Sequence, residues 1–336
     1  MKARTERETT LTDAFGRDIT YLRLSVTDRC DYRCVYCMAE DMVFLPRAQV
    51  LSLEESIEVC EAFAELGVNK IRITGGEPLV RRGITTLFEQ LGQIDSLDEL
   101  TLTTNGSQLS KFASQLAHSG VKRINISLDT LDAEQFTELT RFGKLNDVLT
   151  GIQAAKAAGI ERIKLNAVIL KHRNLDQVLP LVNYALEQQL DISFIEEMPL
   201  GQVTEHGRKT EFCSSAELRK LIGEHHSLTP SAHQTGGPSR YWSLAGSNSK
   251  LGFISPHSEN FCSSCNRVRV TAEGKLLLCL GNENAVDLKA VIRRYPGERE
   301  RLKQVIVDAM SAKPEKHHFY EDDAPQIIRF MNATGG

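Results

Sequence analysis

The chain of 336 residues has no run of about 18 apolar residues, so no segment reads as a membrane-spanning helix. Its first dozen residues, Met1 to Thr12, carry charges of both signs and no apolar stretch. No secretory leader is expected there, and a cytoplasmic location is the expectation that follows. A basic excess is also missing: 40 Lys and Arg against 44 Asp and Glu give a net charge of −4. That argues against a general nucleic-acid binder, though a few local Arg and Lys suffice for a small anion. Short-period repeats and low-complexity tracts are absent, and the hydrophobic (41%) and charged (25%) fractions exclude disordered and fibrous chains. There is no G-x4-G-K-[ST], since Gly201 and Gly207-Arg208-Lys209-Thr210 stand one residue too far apart, and no G-x-G-x-x-G. A bound nucleotide would therefore be held by individual side chains, with Arg offering bidentate contacts, and not by a P-loop or a Rossmann turn. The nine His show no metal-ligand spacing, and both His225-His226 and His317-His318 read as solvated surface.

What is present is an alternation of short β-rich segments with stretches of helical period. Strands are expected at Tyr21–Asp28, Lys70–Thr74, Glu99–Asn105, Arg123–Asp129, Arg162–Leu170 and Asp191–Met198. Helices are expected at Leu53–Leu66, Ile84–Leu91, Leu109–His118, Asn146–Ala158 and Asn174–Gln188. The first helix has Ser52 as N-cap with Glu55 three residues on, a capping box, and stops at Gly67. Such alternation predicts a parallel sheet with helical crossovers, and six strands are too few for a closed eight-stranded barrel. The fold class expected is α/β, an incomplete (β/α)6 TIM-like barrel closed by a C-terminal cluster-binding domain.

The strand faces carry more. Leu22, Leu24 and Val26 alternate with Tyr21, Arg23, Ser25 and Thr27; Ile71 and Ile73 with Lys70, Arg72 and Thr74; Ile124, Ile126 and Leu128 with Asn125, Ser127 and Asp129; Ile163 and Leu165 with Lys164 and Asn166. Residues two apart share a face of a strand. The apolar set must pack on the helices, which leaves a polar, locally cationic inner wall. An open antiparallel sheet with one solvated face would alternate in the same way, but the regular helical segments between strands disfavour it. After Met198 the pattern breaks: 201–212 is polar and loop-like, and 230–250 is rich in Ser, Gly, Pro and Asn. The division expected is residues 1–240 for the partial barrel and 241–336 for a second unit. In that unit short strands are expected near Gly252–Ser255, Arg267–Thr271 and Lys275–Leu278, and helices near Ala285–Arg294 and Gly297–Ser311.

Eight cysteines in a chain without a leader are expected as thiols. Cys30, Cys34 and Cys37 form C-x3-C-x2-C just after the first strand, at the strand end where barrel chemistry is placed. A disulfide would leave one thiol over, and structural zinc wants four ligands where three are local. Three thiolates in one loop suit three corners of a cubane iron–sulfur cluster, the fourth iron staying open to a small ligand. Cys262, Cys265 and Cys279 give C-x2-C-x13-C, which alone fits a zinc ribbon lacking one ligand. The neighbouring Arg267 and Arg269, on one strand face, make it look more like a substrate site. Cys60 reads as a buried thiol on a helix stripe, and Cys213 has no assigned role.

The octet Cys30-Asp31-Tyr32-Arg33-Cys34-Val35-Tyr36-Cys37 resembles the cysteine loop of the radical S-adenosylmethionine (SAM) superfamily. Gly75-Gly76-Glu77-Pro78 resembles that superfamily's motif for the methionine end of SAM: a glycine pair lets backbone approach closely, and a carboxylate can receive an ammonium. With Thr103-Thr104-Asn105-Gly106, Ser127-Leu128-Asp129, Lys164, Phe194 to Met198, the second triplet and the terminal Gly335-Gly336, nearly the whole chain resembles the GTP 3′,8-cyclase family of molybdenum cofactor biosynthesis.

The resemblance implies two [4Fe–4S] clusters and SAM as cofactors. It implies that Cys30, Cys34 and Cys37 hold the first cluster, and Cys262, Cys265 and Cys279 the second. It implies that Tyr36, Gly76, Ser127 and Met198 contact SAM. Arg23, Arg72, Thr103, Lys164 and the Arg267-Val268-Arg269 strand would contact GTP, with Arg267 and Arg269 in the catalytic role. It further implies SAM cleavage to a 5′-deoxyadenosyl radical, removal of the ribose 3′ hydrogen of GTP and closure onto guanine C8. The partners implied are GTP, a reductant protein such as flavodoxin or ferredoxin, and the next enzyme of the pathway, cyclic pyranopterin monophosphate synthase. Neither nucleic acid nor membrane is expected, and a homodimer is left open. The Gly-Gly end resembles a tail that reaches into the active site. Two other classes remain at this point: another radical SAM maturase with an auxiliary cluster, and a non-enzymatic zinc-binding protein.

Overall fold

A computed structural model describes residues 10–201, 207–317, 319, 327 and 329–335. Twelve strands run in chain order: β1 (Tyr21–Ser25), β2 (Lys70–Thr74), β3 (Glu99–Thr104), β4 (Arg123–Ser127), β5 (Arg162–Val168), β6 (Asp191–Ile195), β7 (Leu228–Pro230), β8 (Arg240–Leu244), β9 (Lys250–Ile254), β10 (Arg267–Val270), β11 (Lys275–Leu277) and β12 (Ala285–Asp287). The helices between and after the first six strands are α1 (Leu53–Glu65), α2 (Ile84–Leu91), α3 (Leu109–His118), α4 (Ala133–Thr140), α5 (Leu145–Ala157) and α6 (Val178–Gln188). The remainder are α7 (Arg208–Glu211), α8 (Ser215–Gly223), α9 (Leu288–Arg294), α10 (Arg299–Met310) and α11 (Met331–Thr334). No described helix is long and apolar enough to cross a membrane.

All strands join one sheet in the order β12-β11-β10-β1-β2-β3-β4-β5-β6-β9-β8-β7. From β10 to β9 every neighbouring pair is parallel, and the antiparallel strands sit only outside them. The six-stranded partial barrel is thus present, and the C-terminal part adds β10 beside β1 and β9 beside β6. The apolar face packs on the helices: Leu22, Leu24, Ile71, Ile73, Leu102, Ile124, Ile126 and Leu165 are wholly buried in one core with Phe63, Phe88 and Val148. Cys60 belongs to that core as expected, and burial pushes its thiol up. Cys213 also packs there.

Several expectations shift. The stretch 230–250 is not a bare linker: it contains β8, whose Tyr241 and Leu244 are buried, and the sheet continues unbroken past residue 240. Ser, Gly and Pro around those five residues hide the alternation. The segment 201–212 includes the single turn α7, and α8 follows under a capping box at Ser214. The helix expected from Ala285 begins only at Leu288, because 285–287 first adds an edge strand and Asp287 then caps the helix by accepting from the Ala290 N–H at 2.8 Å. The sixth strand ends at Ile195 instead of Met198. Helix α4 was missed because only Phe136 and Leu139 of its eight residues are large and apolar, while Asp132 caps it.

The predicted capping box of α1 forms. The Glu55 N–H donates to Ser52 Oγ at 3.1 Å and the Ser52 N–H to Glu55 Oε2 at 2.7 Å. Ser52→Ala is expected to destabilise the fold by about 1 kcal/mol. Urea unfolding followed by circular dichroism measures it, and an unchanged midpoint would mean that packing alone holds this helix start.

Candidate functional site

The first cysteine loop leaves the C-terminal end of β1 and is tied to the last turn of α4, through Arg33 N–H to the Thr140 carbonyl (2.9 Å) and Val35 N–H to the Leu139 carbonyl (3.0 Å). Inside the loop, Arg33 Nη1 donates to the Cys30 carbonyl at 2.8 Å. Asp31 is held by Asn105 Nδ2 (2.7 Å) and Ser107 Oγ (2.6 Å) from the end of β3. The Tyr36 hydroxyl donates to Asp129 Oδ2 at 2.6 Å, and the other Asp129 oxygen accepts from the Val168 N–H at 2.8 Å. Burial raises Asp129 to about 6 against these hydrogen bonds. Burial likewise pushes Cys37 up to about 12, and Cys30 and Cys34 upward with it. As thiols these groups hold their protons. A bound metal reverses that preference, since it deprotonates a coordinating thiol.

The glycine pair after β2 lies under the loop. A Cβ on Gly75 would stand 2.8 Å from the Thr27 carbonyl oxygen, and one on Gly76 2.7 Å from that of Asp28, so only glycine permits the approach. Glu77 does not play the part the motif suggested. Its carboxylate is fully buried and accepts from the Asn105 N–H (2.6 Å), the Thr104 hydroxyl (2.8 Å) and the Leu79 N–H (2.9 Å). Burial still raises it to about 8. Glu77 pins the β3 end and holds Asn105 toward the cysteines, and it is already engaged before any ammonium could reach it.

The polar faces of the strands line a cavity of about 290 Å³. Sheet register sets Arg269, Arg23 and Arg72 side by side on β10, β1 and β2, with Arg267, Tyr21 and Lys70 one row below. Thr103, Asn125, Ser127, Lys164 and Asn166 continue the wall, and Tyr36, Gly76 and Met198 also face it. Val268 sits between the two arginines with its side chain in the core, so only its main chain lies toward the cavity. Burial lowers Arg23 to about 10, with Arg72 and Arg267 adding to the effect. Burial also lowers Lys70, Lys164 and, furthest, Arg269. Asn125 Oδ1 and Asn166 Oδ1 are buried with no hydrogen-bond partner among the described residues, a cost of roughly 1–3 kcal/mol each that a ligand donor would remove. A crowd of buried cations beside orphan acceptors is a wall built for a polyanion that also carries donors.

The second triad lies at the other end of that wall. Cys262 and Cys265 precede β10, and Cys279 follows β11. Because β10 runs parallel to β1, the two cysteine groups flank the arginine rows from opposite strand ends. Lys313 Nζ donates to Cys265 Sγ at 3.8 Å, and Arg267 and Lys313 outweigh burial to bring the Cys265 thiol down. His317 corrects the surface reading: it lines the cavity, its N–H donates to Cys262 Sγ at 3.5 Å, and its ring lies 4.3 Å from that of Phe319. His318 and Gly336 fall outside the described residues. Gly335 is buried, its carbonyl accepting from Arg269 Nη1 at 2.5 Å, and Met331 and Asn332 before it line the cavity.

All eight cysteines are free thiols. Among the described residues no three His, Cys, Asp or Glu side chains converge on one point as a single ion requires. A cubane presents separate irons to separate thiolates and asks for no such convergence. Each triad fits that chemistry, with one loop or sheet edge presenting three thiols to the cavity. Sequence reasoning missed Lys313, Arg123, Tyr241 and the pairing role of Asp129. Arg123 and Asp129 carried a signal, as the end members of the polar alternation Arg123, Asn125, Ser127, Asp129. Tyr21 accepts from Arg72 Nε at 2.5 Å. Burial pushes its phenol up, but Arg72, Arg23 and Lys70 prevail and bring it down to about 7. Since the folded group ionises more easily, the stability it lends is full above pH 10 and fades as pH falls to about 7. The chain stripped of cofactors is expected to develop a tyrosinate absorption as pH rises through about 7 that Tyr21→Phe lacks. Identical titrations of the two proteins would remove this assignment.

Residues 24–185 match the Radical SAM superfamily model, and residues 190–319 match Molybdenum Cofactor Synthesis C. The chain is 59% identical to the GTP 3′,8-cyclase of Saccharophagus degradans over 98% of its length and all of that protein. It is 60% identical to GTP 3′,8-cyclase 2 of Pseudomonas aeruginosa, over 97% and 98% of the two chains. Among solved structures, Streptococcus suis SuiB superimposes with a TM-score of 0.64 over 95% of this chain and 78% of SuiB, at 16% identity, a likeness of fold. The cysteine loop, the glycine pair and the second triad around a cationic wall therefore have a family to which they belong: this chain is a member of the radical SAM superfamily and, within it, of the GTP 3′,8-cyclases.

Proposed function

We propose that this chain converts GTP to (8S)-3′,8-cyclo-7,8-dihydroguanosine 5′-triphosphate, the first step of molybdenum cofactor biosynthesis, with SAM and two [4Fe–4S] clusters as cofactors. The observation that carries the reading is that one cavity is lined by both cysteine triads and by the arginine rows between them. The matched stretch of β1 and β10 is four residue pairs, roughly 13 Å of strand, which suits a nucleotide lying along the wall. When bound, the reduced cluster and SAM supply a 5′-deoxyadenosyl radical as the hydrogen-abstracting agent.

The chain's own residues bind and orient. Cys30, Cys34 and Cys37 hold the first cluster, while Tyr36, Gly76, Ser127 and Met198 surround SAM. Arg23, Arg72, Thr103, Lys164 and the Arg267-Val268-Arg269 strand would hold GTP, and Cys262, Cys265 and Cys279 would hold the second cluster. Lys164, whose ammonium lies 3.4 Å from the Tyr241 hydroxyl, and Arg72, whose Nη1 donates to Thr103 Oγ1 at 3.3 Å, are fixed before substrate arrives. Prepaid orientation of this kind lowers the barrier to a reaction between two held groups. Burial strengthens each charge contact to the triphosphate and keeps water from a radical. The first cluster's site belongs to residues 1–240 and the second's to 241–336. The reaction takes place in the cytoplasm, with a flavodoxin- or ferredoxin-like protein as electron source and cyclic pyranopterin monophosphate synthase as the acceptor of product.

Anaerobic reconstitution followed by SAM-cleavage and product assays with GTP tests the whole reading. Protein that splits no SAM under strong reductant would overturn it. Arg267→Ala and Arg269→Ala are each expected to abolish cyclisation while iron and sulfide content stay at the unmodified level. Normal turnover by either variant would remove its catalytic role. Deleting residues 335–336 is expected to cut product formation, because Arg269 and Arg23 lose the Gly335 carbonyl that now fixes them. Undiminished product would make the tail a passive end.

A further inference from the structure

Lys313 follows α10 and is only 2% exposed. Its three donors meet three acceptors: the Leu278 carbonyl at 2.6 Å, the Arg267 carbonyl at 3.0 Å and Cys265 Sγ at 3.8 Å. The first two are main-chain groups, one residue before Cys279 and two after Cys265, so the ammonium sits between two thiols of the second triad. No carboxylate is paired with it among the described residues. The turn that carries it is clamped by Arg17, which donates to the carbonyls of Cys262 (2.9 Å), Pro314 (2.7 Å) and Glu315 (2.6 Å) and is itself paired with Asp13 at 2.6 Å.

The first triad differs at its sulfurs, although Arg33 donates to the Cys30 main-chain carbonyl at 2.8 Å. No Lys or Arg side chain donates to its sulfurs among the described residues. Cys30 Sγ accepts from the Tyr32 N–H at 3.4 Å and from the Asn105 amide at 3.7 Å, both neutral donors, and lies 4.0 Å from Asp31 Oδ1. Asp129 stands against Tyr36 within the loop. One triad is therefore faced by carboxylates and the other by a buried ammonium. Burying a lysine away from any carboxylate is costly unless negative charge arrives beside it. Protonated thiols bring none, whereas thiolates on an iron–sulfur cluster do, and more once it is reduced.

We propose that Lys313 is a positioning residue which, by donating to Cys265 Sγ, holds the second cluster at a higher reduction potential than the first. This rests on the reading that the second triad carries a [4Fe–4S] cluster. Hydrogen bonds to cluster sulfurs and nearby fixed charge set such potentials, and positive charge favours the reduced state. The fold thereby separates two chemically similar clusters: one is left strongly reducing toward SAM, the other is easier to reduce where the base binds.

The test is a redox titration of the reconstituted full chain followed by electron paramagnetic resonance, with a variant lacking Cys30, Cys34 and Cys37 to assign the signals. In Lys313→Met the second cluster's midpoint is expected to fall by at least tenfold in the redox equilibrium, about 59 mV for one electron, while the first cluster's stays in place. Lys313→Arg should keep the unmodified value. An unchanged second midpoint in Lys313→Met, or an equal fall in both clusters, would overturn the proposal. Should Lys313→Met lose its second cluster, Lys313→Gln and Lys313→Arg decide. Iron held only by Lys313→Arg, or held by Lys313→Gln at a lowered midpoint, supports it; iron lost from both, or an unshifted midpoint in Lys313→Gln, refutes it. An unmodified chain binding only about four irons, all at the first triad, would overturn the two-cluster reading itself, a failure distinct from the others.

Discussion

Parallel pairing of β10 with β1 and of β1 with β2 forces Arg269, Arg23 and Arg72 into adjacent register positions, with Arg267 and Lys70 beside Tyr21 below them. Backbone hydrogen bonds hold the strands about 4.8 Å apart whatever the side chains prefer, so like charges are kept close against their own repulsion. Among the described residues Glu99 pairs with Lys70 and Arg123, and the Tyr21 phenol is drawn toward ionisation. Cavity, specificity and the placement of both cysteine triads all follow from that imposed proximity. A triphosphate is the kind of guest that turns such repulsion into attraction.

Around the wall, polar groups are fixed by main chain more than by one another. Glu77 gathers two backbone N–H groups and a hydroxyl, Arg17 gathers three carbonyls, and Lys313 gathers two. Main-chain partners do not swing away as side-chain partners can, so each charge is held at a defined point. That rigidity suits chemistry in which a radical must meet one hydrogen and no other.

The alternation of Leu22, Leu24, Ile71 and Ile73 with Arg23 and Arg72 was legible from residue type alone, because a two-residue period needs no knowledge of neighbours. So were the cysteine triplets, whose spacing is local, and the α1 capping box. Lys313, Arg17 and His317 were not legible. Their roles depend on which distant carbonyls and sulfurs the fold brings to them, and in sequence each stands in an ordinary charged or polar stretch. Strand β8 was hidden by the Ser and Gly that flank Tyr241 and Leu244, and β12 by an Ala-Val-Asp triplet that serves equally well as a helix start. Glu77 shows the opposite limit: its motif was plain, but its partners became known only from the packing of β3.

The contacts that complete the wall join the two halves of the gene product. Arg17 reaches a carbonyl 245 positions later, and β1 acquires its neighbour β10 only after most of the chain exists. During synthesis the first cysteine loop emerges early, while one edge of its strand waits for a partner still unmade. Contacts so distant in sequence make for slow closure. A ribosome-bound chain would hold the N-terminal half of the sheet with β1 as an open edge until the last strands seal it.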